Sequence, residues 1–340
     1  MDSRPLRDLT VVEIGAAVAG PFGGKVLSDH GARVVKIEPK HGEILRHRNK
    51  WYDEEAGVPE TFTYRFMQYN TGKESIAVDL KSDEGNRVLW DLLETADVLL
   101  VNMRPGTMDR LGYSWDEMHE RNPELIYCSI TGYGEDGPYT DWPAYDYAVQ
   151  GSSGWAAQNE ANGRPRAFEI VAVDHSTALT AVSGILMAVI ERERSGEGQR
   201  IDTAMIETAT SFLGHHLAEL SAGRVDDGVA ERMFQTKEDD VYETADGHMV
   251  VIIEKDYFES FARAIDREEW LEDHQFSTIT GRKNNFAELR AELTEIFSQR
   301  PTTEWIDHFQ SVASDVVAAP VNQIPDLTRR AGRRSGPGSG

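Results

Sequence analysis

Hydrophobic positions along this chain alternate between two spacings, one suited to strands and one to helices, and that alternation predicts the fold. The run Leu9-Thr10-Val11-Val12-Glu13-Ile14 reads as a short strand, and the stretch Gly15-Ala16-Ala17-Val18-Ala19-Gly20-Pro21 as a turn. A helical segment to Leu27 and a second strand over residues 32–37 follow. Strand, turn, helix and strand make a βαβ unit, the crossover that parallel strands require. Residues 75–80 predict a third strand, after which Ser82 can cap a helix with Val88, Leu89, Leu92 and Leu93 on its apolar face. Residues 97–102 and 125–130 predict a fourth and fifth strand, and residues 199–202 another short one. Between them Leu179, Val182, Ile185, Leu186 and Val189 recur with helical period over residues 176–193, and Ser195-Gly196-Glu197-Gly198 ends the pattern. A further helix is expected over residues 205–220. The whole predicts an α/β, Rossmann-like, doubly wound large domain over residues 1–220.

Small and acidic residues at 221–228 read as a linker. Beyond it, apolar runs at 240–242 and 248–253 flank the turn signal Ala245-Asp246-Gly247, and helical patterns follow at 257–265, 285–298 and 303–312. These predict a smaller α+β domain over residues 229–318. Residues 319–340 read as a return segment and a tail whose Arg, Gly and Ser residues lack an apolar anchor.

Charge narrows the partners. The chain has 58 Asp and Glu against 35 Lys and Arg, a formal charge of -23, and nine of the basic residues are Lys, leaving 26 Arg. Neutralising phosphodiesters needs a basic face, so nucleic acid is not expected as a partner. An acidic, Lys-poor surface suits solubility in concentrated salt, which points to a halophilic protein. The one cysteine, Cys128, lies in a strand-like apolar run and is expected to be a buried structural thiol rather than part of a disulfide or thiolate cluster. The N-terminal residues lack the apolar core of a signal peptide, and no uninterrupted apolar run reaches membrane-spanning length, so a cytoplasmic protein with no membrane partner is expected.

Among candidate chemical groups Asp174 stands out, because it ends the apolar run 170–173 and opens the long apolar helix. A carboxylate there loses solvation unless it is used, and a helix N-terminus can hold it ionised, which makes it a candidate nucleophile. The turn at residues 15–20 fits neither dinucleotide nor P-loop glycine patterns, although Pro21 suits a first helical turn whose free N–H groups can meet phosphate. The loop at residues 102–112 follows the fourth strand at its carboxyl end, where ligands sit in open α/β sheets, and offers Arg104 and Arg110. Gly132-Tyr133-Gly134 begins a second such loop. Adjacent His215 and His216 are expected to point apart on a helix, and no third ligand is placed, so no metal is expected. There is no G-x-S-x-G or H-E-x-x-H segment.

In order, these motifs resemble the family III CoA-transferases, the group that includes formyl-CoA transferase, carnitine CoA-transferase and α-methylacyl-CoA racemases. The matching pieces are Leu6-Arg7-Asp8-Leu9 with Ala19-Gly20-Pro21, Gly31-Ala32-Arg33-Val34-Val35-Lys36-Ile37-Glu38-Pro39, and Asn70-Thr71-Gly72-Lys73 running to Asp79-Leu80-Lys81. They continue through residues 102–112, Thr131-Gly132-Tyr133-Gly134, Tyr145-Asp146, Val173-Asp174 and Gly196-Glu197-Gly198-Gln199 to Asp246-Gly247 and Phe276-Ser277-Thr278 with Arg282 and Asn285, covering residues 5–325.

The resemblance implies that Asp174 is the nucleophile, passing through an aspartyl anhydride and an aspartyl-CoA thioester. It implies CoA contacts at Ala17, Val18, Ala19, Val78, Lys81, Asn102, Met103 and Arg110, with coenzyme A as substrate and product. It also implies an interlocked homodimer. Where the racemases carry a histidine base this chain has Tyr145, and a phenol ordinarily ionises only near pH ~10, so transfer is expected over racemisation. An α-methylacyl-CoA racemase and an inactive CoA-binding relative are the alternatives, and His175 is a further possible base beside Asp174. The glycine-rich loop of formyl-CoA transferase has no counterpart around Phe234-Gln235-Thr236-Lys237, which implies a different acceptor. The family chain also continues past the position of Pro325 and returns to the large domain, whereas this one ends in a Gly/Arg/Ser tail. With a haloarchaeal setting, small dicarboxylates such as succinate or mesaconate are the expected substrates, and Arg46, Arg48 and Arg104 are candidate partners for a second carboxylate.

Overall fold

The computed structural model describes residues 4–47, 63–161, 164–223, 240–253 and 257–326, in two compact units spanning residues 1–218 and 219–340. In the first unit, strands β1 (Thr10–Ile14), β2 (Arg33–Glu38), β3 (Glu74–Ala77), β4 (Val98–Val101), β5 (Ile126–Thr131) and β6 (Arg200–Ala204) form one sheet in the order 3-2-1-4-5-6. Every pairing is parallel. The doubly wound arrangement expected from the hydrophobic pattern is therefore present in this unit.

Period-two alternation divides the strand residues between two faces. Val11, Val34, Val98, Leu100 and Cys128 face a layer containing α1 (Ala19–Asp29) and the 24-residue α5 (Ala172–Ser195), from which Leu27, Ala181, Val182 and Ile185 pack inward. Val12, Val35, Leu99 and Val101 face the other way, onto Leu89 and Leu93 of α3 (Asp83–Leu93). Ser82 caps α3 as expected, its hydroxyl accepting from Gly85 N at 3.1 Å. A Cβ added at Gly23 would lie 3.3 Å from Leu100 Cδ2, so glycine there lets α1 sit close on the sheet. By length and composition α5 could also cross a bilayer, which the interrupted apolar run did not signal. Here one side of it belongs to the core of the parallel sheet.

Two short helices carry site residues, α2 (Tyr64–Asn70) and α4 (Asp146–Ser153). Strand order reverses between β1 and β4, so their carboxyl ends diverge and open a crevice there. The residues immediately following, Gly15 to Ala17 and Asn102, border that crevice.

The second unit contains an antiparallel sheet of β7 (Asp240–Glu243), β8 (His248–Ile252) and β9 (Val317–Pro320), in the order 9-8-7. Tyr242, Met249 and Val251 pack with Phe261, Phe297, Trp305 and Phe309 in its core. The Asp246 carboxylate accepts from Thr302 N at 2.7 Å, tying the β7–β8 turn to the helix Thr302–Val312. Strand β9 runs across the boundary expected at residue 318 and pairs with β8. Arg48, residues 224–228 of the expected linker, Phe234 to Lys237 and the tail at 329–340 lie outside the described residues.

Candidate active site

The first turn of α5 puts Asp174 at a helix start whose preceding residue, Val171, makes no side-chain cap. Asp146, from the first turn of α4, supplies that cap instead: its Oδ2 accepts from Asp174 N at 2.9 Å, while its other oxygen accepts from Gln150. Asp146 is only 3% exposed. The capping role that the sequence left open for Asp174 thus belongs to a residue 28 positions earlier, which leaves the Asp174 side chain free of that duty.

The Asp174 carboxylate has no hydrogen-bond or ion-pair partner among the described residues. Burial, and then the negative charge of Asp146, push its pKa up to about 7. The shift runs against the expectation that the helix N-terminus can hold the acid ionised, since lost water and a second carboxylate both favour the protonated form.

Aromatic rings wall the site. The His175 ring meets Phe22 of α1 edge-on at 4.5 Å and tilts against Tyr69 of α2 at 5.7 Å. His175 Nδ1 lies 2.7 Å from the Val171 carbonyl oxygen, so that nitrogen carries the proton and donates. Burial, followed by the charge on Asp174, raises the pKa of Tyr69. Phe22 and Val18 in turn pack against Leu45, Phe66 and Tyr69, which joins the first turn of α1 to the surroundings of Asp174. Tyr145, at the position where a racemase base was considered, is 62% exposed.

The turn between β1 and α1 is held by side chains from several elements. Asn102 brackets Ala16, accepting from its N–H and donating to its carbonyl oxygen, both at 2.9 Å. Lys36 donates to Gly15 O at 2.7 Å, and Lys73 to Pro21 O at 2.7 Å. Both lysines also meet Glu13, at 2.7 and 2.6 Å, in a triad with almost no exposure. Burial lowers the pKa of Lys73 to about 8 although Glu13 opposes the shift. Ala17 adopts φ +62, unusual for a residue with a Cβ, and its N–H donates to Glu43 Oε2 at 3.2 Å.

Beside this turn lies a cavity of about 850 Å³ with apolar walls that include Ile14, Ile37, Val78, Leu80 and Met103, and with Lys40, His41, His47 and Lys81 among its polar lining. Of the residues singled out for CoA, Val78, Lys81 and Met103 line it. Ala17 and Asn102 stand one residue or one hydrogen bond behind its Ala16 lining. Val18 faces the aromatic cluster, and Ala19 is buried, so its side chain is core. Arg110 turns back on its own helical turn, donating to Thr107 Oγ1 at 2.9 Å.

The candidate dicarboxylate arginines separate. Arg46 is committed to Glu38 through two 2.7 Å hydrogen bonds, and so is not a spare cation. Arg104 lines a narrow crevice between the ends of β4 and β5, together with Arg200 and Glu135. Cys128 is buried in the sheet core, and burial pushes its thiol up to about 12. The rings of His215 and His216 come within 4.0 Å, closer than expected of adjacent helical residues, but among the described residues no three candidate ligands gather to hold a metal.

Sequence reasoning missed the roles of Asp146, Glu43, Glu13, Lys36 and Lys73. For Glu13 and Lys36 a signal existed, since a charged residue inside an apolar strand calls for a partner. Their direct opposition on β1 and β2 emerged only with the strand register.

A doubly wound parallel sheet with a cavity at its switch point is the arrangement in which α/β proteins bind ligands, and Asp174, an acid of raised pKa, stands apart from that cavity's lining, next to the ring-packed His175. The sequence pattern of CoA-transferase family III matches residues 6–334, and the chain belongs to that family and is an enzyme of this kind. A Mycobacterium tuberculosis protein named a probable fatty acyl-CoA transferase is 31% identical, over 97% of this chain and 89% of that one. A succinate–glutarate CoA-transferase of Agrobacterium fabrum is 32% identical, over 95% of this chain and 81% of that one. The crystal structure of a CaiB/BaiF family protein from Brucella suis superposes with a TM-score of 0.83 at 29% identity, covering 97% of this chain and 88% of that one.

Proposed function

We propose that this protein moves CoA from an acyl-CoA donor to a carboxylic acid acceptor, with Asp174 as the covalent carrier. An Asp174 carboxylate oxygen attacks the donor thioester carbonyl, the carbon–sulfur bond breaks, and CoA thiolate leaves an aspartyl anhydride. The thiolate then attacks the Asp174 carbonyl and releases the donor acid, leaving an aspartyl-CoA thioester. The acceptor carboxylate attacks that thioester, forming a second anhydride and again freeing the thiolate. Attack of the thiolate on the acceptor's acyl carbon gives the new acyl-CoA and restores the Asp174 carboxylate. One difficult exchange becomes four easier displacements.

The observation that carries this reading is the Asp174 carboxylate itself, unpartnered among the described residues and with its pKa at about 7. Near neutrality a large fraction is ionised, and that fraction is more basic, hence more nucleophilic, than an ordinary aspartate. CoA is proposed to contact Ala17, Val18, Ala19, Val78, Lys81, Asn102, Met103 and Arg110. The apolar walls beside Val78 and Met103 suit adenine or pantetheine, and Lys81 suits phosphate. The test is incubation with a panel of acyl-CoAs, trapping with hydroxylamine or borohydride, and mass spectrometry. Modification at Asp174 is expected, and no modification with any donor would sink the mechanism.

Racemisation is the less favoured alternative, because exposed Tyr145 replaces the histidine base. Exchange of the substrate α-proton in deuterated water would support it. Small dicarboxylates are the proposed substrates, with support from the succinate–glutarate relative, while the mycobacterial relative's name points to longer acids. Parallel assays with succinyl-CoA and a long-chain acyl-CoA discriminate between the two.

A homodimer is proposed as the working unit. Exposed Leu179, Met187 and Ile190 on α5 support it by offering apolar surface for a partner. Light scattering that gave a monomer mass would count against it. The net charge of -23 supports a halophilic, haloarchaeal setting, and a cytoplasmic location is proposed with it. Full stability without added salt would remove the halophilic part of that proposal.

A further inference from the structure

Glu43 is 2% exposed, adjoins the cavity, and lies just before the helical turn Ile44–Arg46. One of its carboxylate oxygens accepts from Ala17 N at 3.2 Å, and the other is buried with no hydrogen-bond partner among the described residues. Its own N–H donates to Glu38 Oε2 at 3.0 Å, and Glu38 is gripped by Arg46 and Ser75. A half-satisfied buried carboxylate is unfavourable for stability alone. Its single bond falls on the one residue of the first turn that takes a left-handed conformation against its own Cβ.

We propose that Glu43 is a positioning residue for CoA binding: its carboxylate, anchored through Glu38 and Arg46, holds Ala17 in the left-handed conformation and so shapes the turn that receives the ligand. The proposal rests on the reading that CoA binds at this turn. Lys36 and Asn102 hold the backbone at Gly15 and Ala16, and Glu43 holds the next N–H, at Ala17. Without that hold an alanine prefers negative φ, the binding-competent turn becomes a minor population, and apparent affinity falls in proportion.

The test is calorimetric titration of CoA into wild type, Glu43→Ala, Glu43→Gln and the double variant Glu43→Ala/Ala17→Gly, with thermal midpoints measured alongside. Glu43→Ala is expected to weaken CoA binding by roughly tenfold. Adding Ala17→Gly is expected to recover most of that affinity without recovering the thermal midpoint, since glycine accepts positive φ unaided. Glu43→Gln keeps an oxygen for the Ala17 N–H, and its amide NH₂ can turn to the side that lacks a partner, so it is expected to bind nearly as wild type. Equal binding by wild type and Glu43→Ala overturns the proposal and leaves the CoA reading standing. So does a failure of glycine to rescue, or a loss with Glu43→Gln as large as with Glu43→Ala. That last comparison also decides the matter if Glu43→Ala does not fold. Wild type that binds no CoA overturns both.

Discussion

Glu38 at the end of β2 and Asp174 at the start of α5 are both acids withdrawn from water, and their surroundings drive them in opposite directions. Burial pushes Glu38 up, but hydrogen bonds from the Arg46 guanidinium, the Ser75 hydroxyl and the Glu43 N–H bring it to about 2. Asp174 is desolvated too, with none of that compensation, and the charge acting on it is that of another acid, so it sits at about 7. An acid whose lost hydration is replaced by donors becomes a fixed part of the scaffold. One left uncompensated keeps its proton affinity and its reactivity, at some cost to stability.

The most severe way to break this contrast is Asp174→Asn. CoA transfer is expected to fall by about a thousandfold or more, with no covalent adduct by mass spectrometry. Stability should move the other way. A group whose folded-state pKa is raised stabilises the fold below its unfolded value, near pH ~4, and that contribution is lost as pH rises through about 7. Asp174→Asn should therefore be at least as stable as wild type at pH 8, by thermal unfolding. A clear loss of stability there would mean that the carboxylate is structural after all.

Arg46→Ala breaks the compensated side. It strands a buried carboxylate and should cost on the order of 3 kcal/mol in denaturant unfolding. Because the Glu38 pKa is depressed, its stabilisation is present above the unfolded value of ~4 and lost as pH falls towards about 2. The wild-type advantage over Arg46→Ala should thus shrink in acid.

Asp146→Asn gives the smallest and sharpest comparison. It removes the neighbouring charge but keeps an oxygen to accept from Asp174 N. The acidic limb of the activity profile should move to lower pH. An unmoved limb would assign the raised Asp174 pKa to burial alone.

Much of the scaffold was legible in the chain. The strands β1, β2, β4 and β5 read as short, mostly apolar runs because both faces of a parallel sheet are covered, with Glu13 and Lys36 as the charged breaks, and Ser82 announced its cap by type and position. Asp174 was legible for a similar reason, as a polar break in an apolar pattern. Helices α2 and α4 were not, because each spans only about two turns, too short to show a period along the chain. Arg46 looked like a spare cation because its partner lies eight residues earlier and turns to meet it only at the strand end.

The sequence by itself determined most of the strands, the long helices, the acidic balance and the acid at residue 174, since these follow from side-chain type and spacing along the chain. Only the tertiary structure decided what kind of acid that would be. Proton affinity depends on the water and charges nearby, and the folded chain buries Asp174 and brings Asp146 to it from another helix while giving the donors to Glu38.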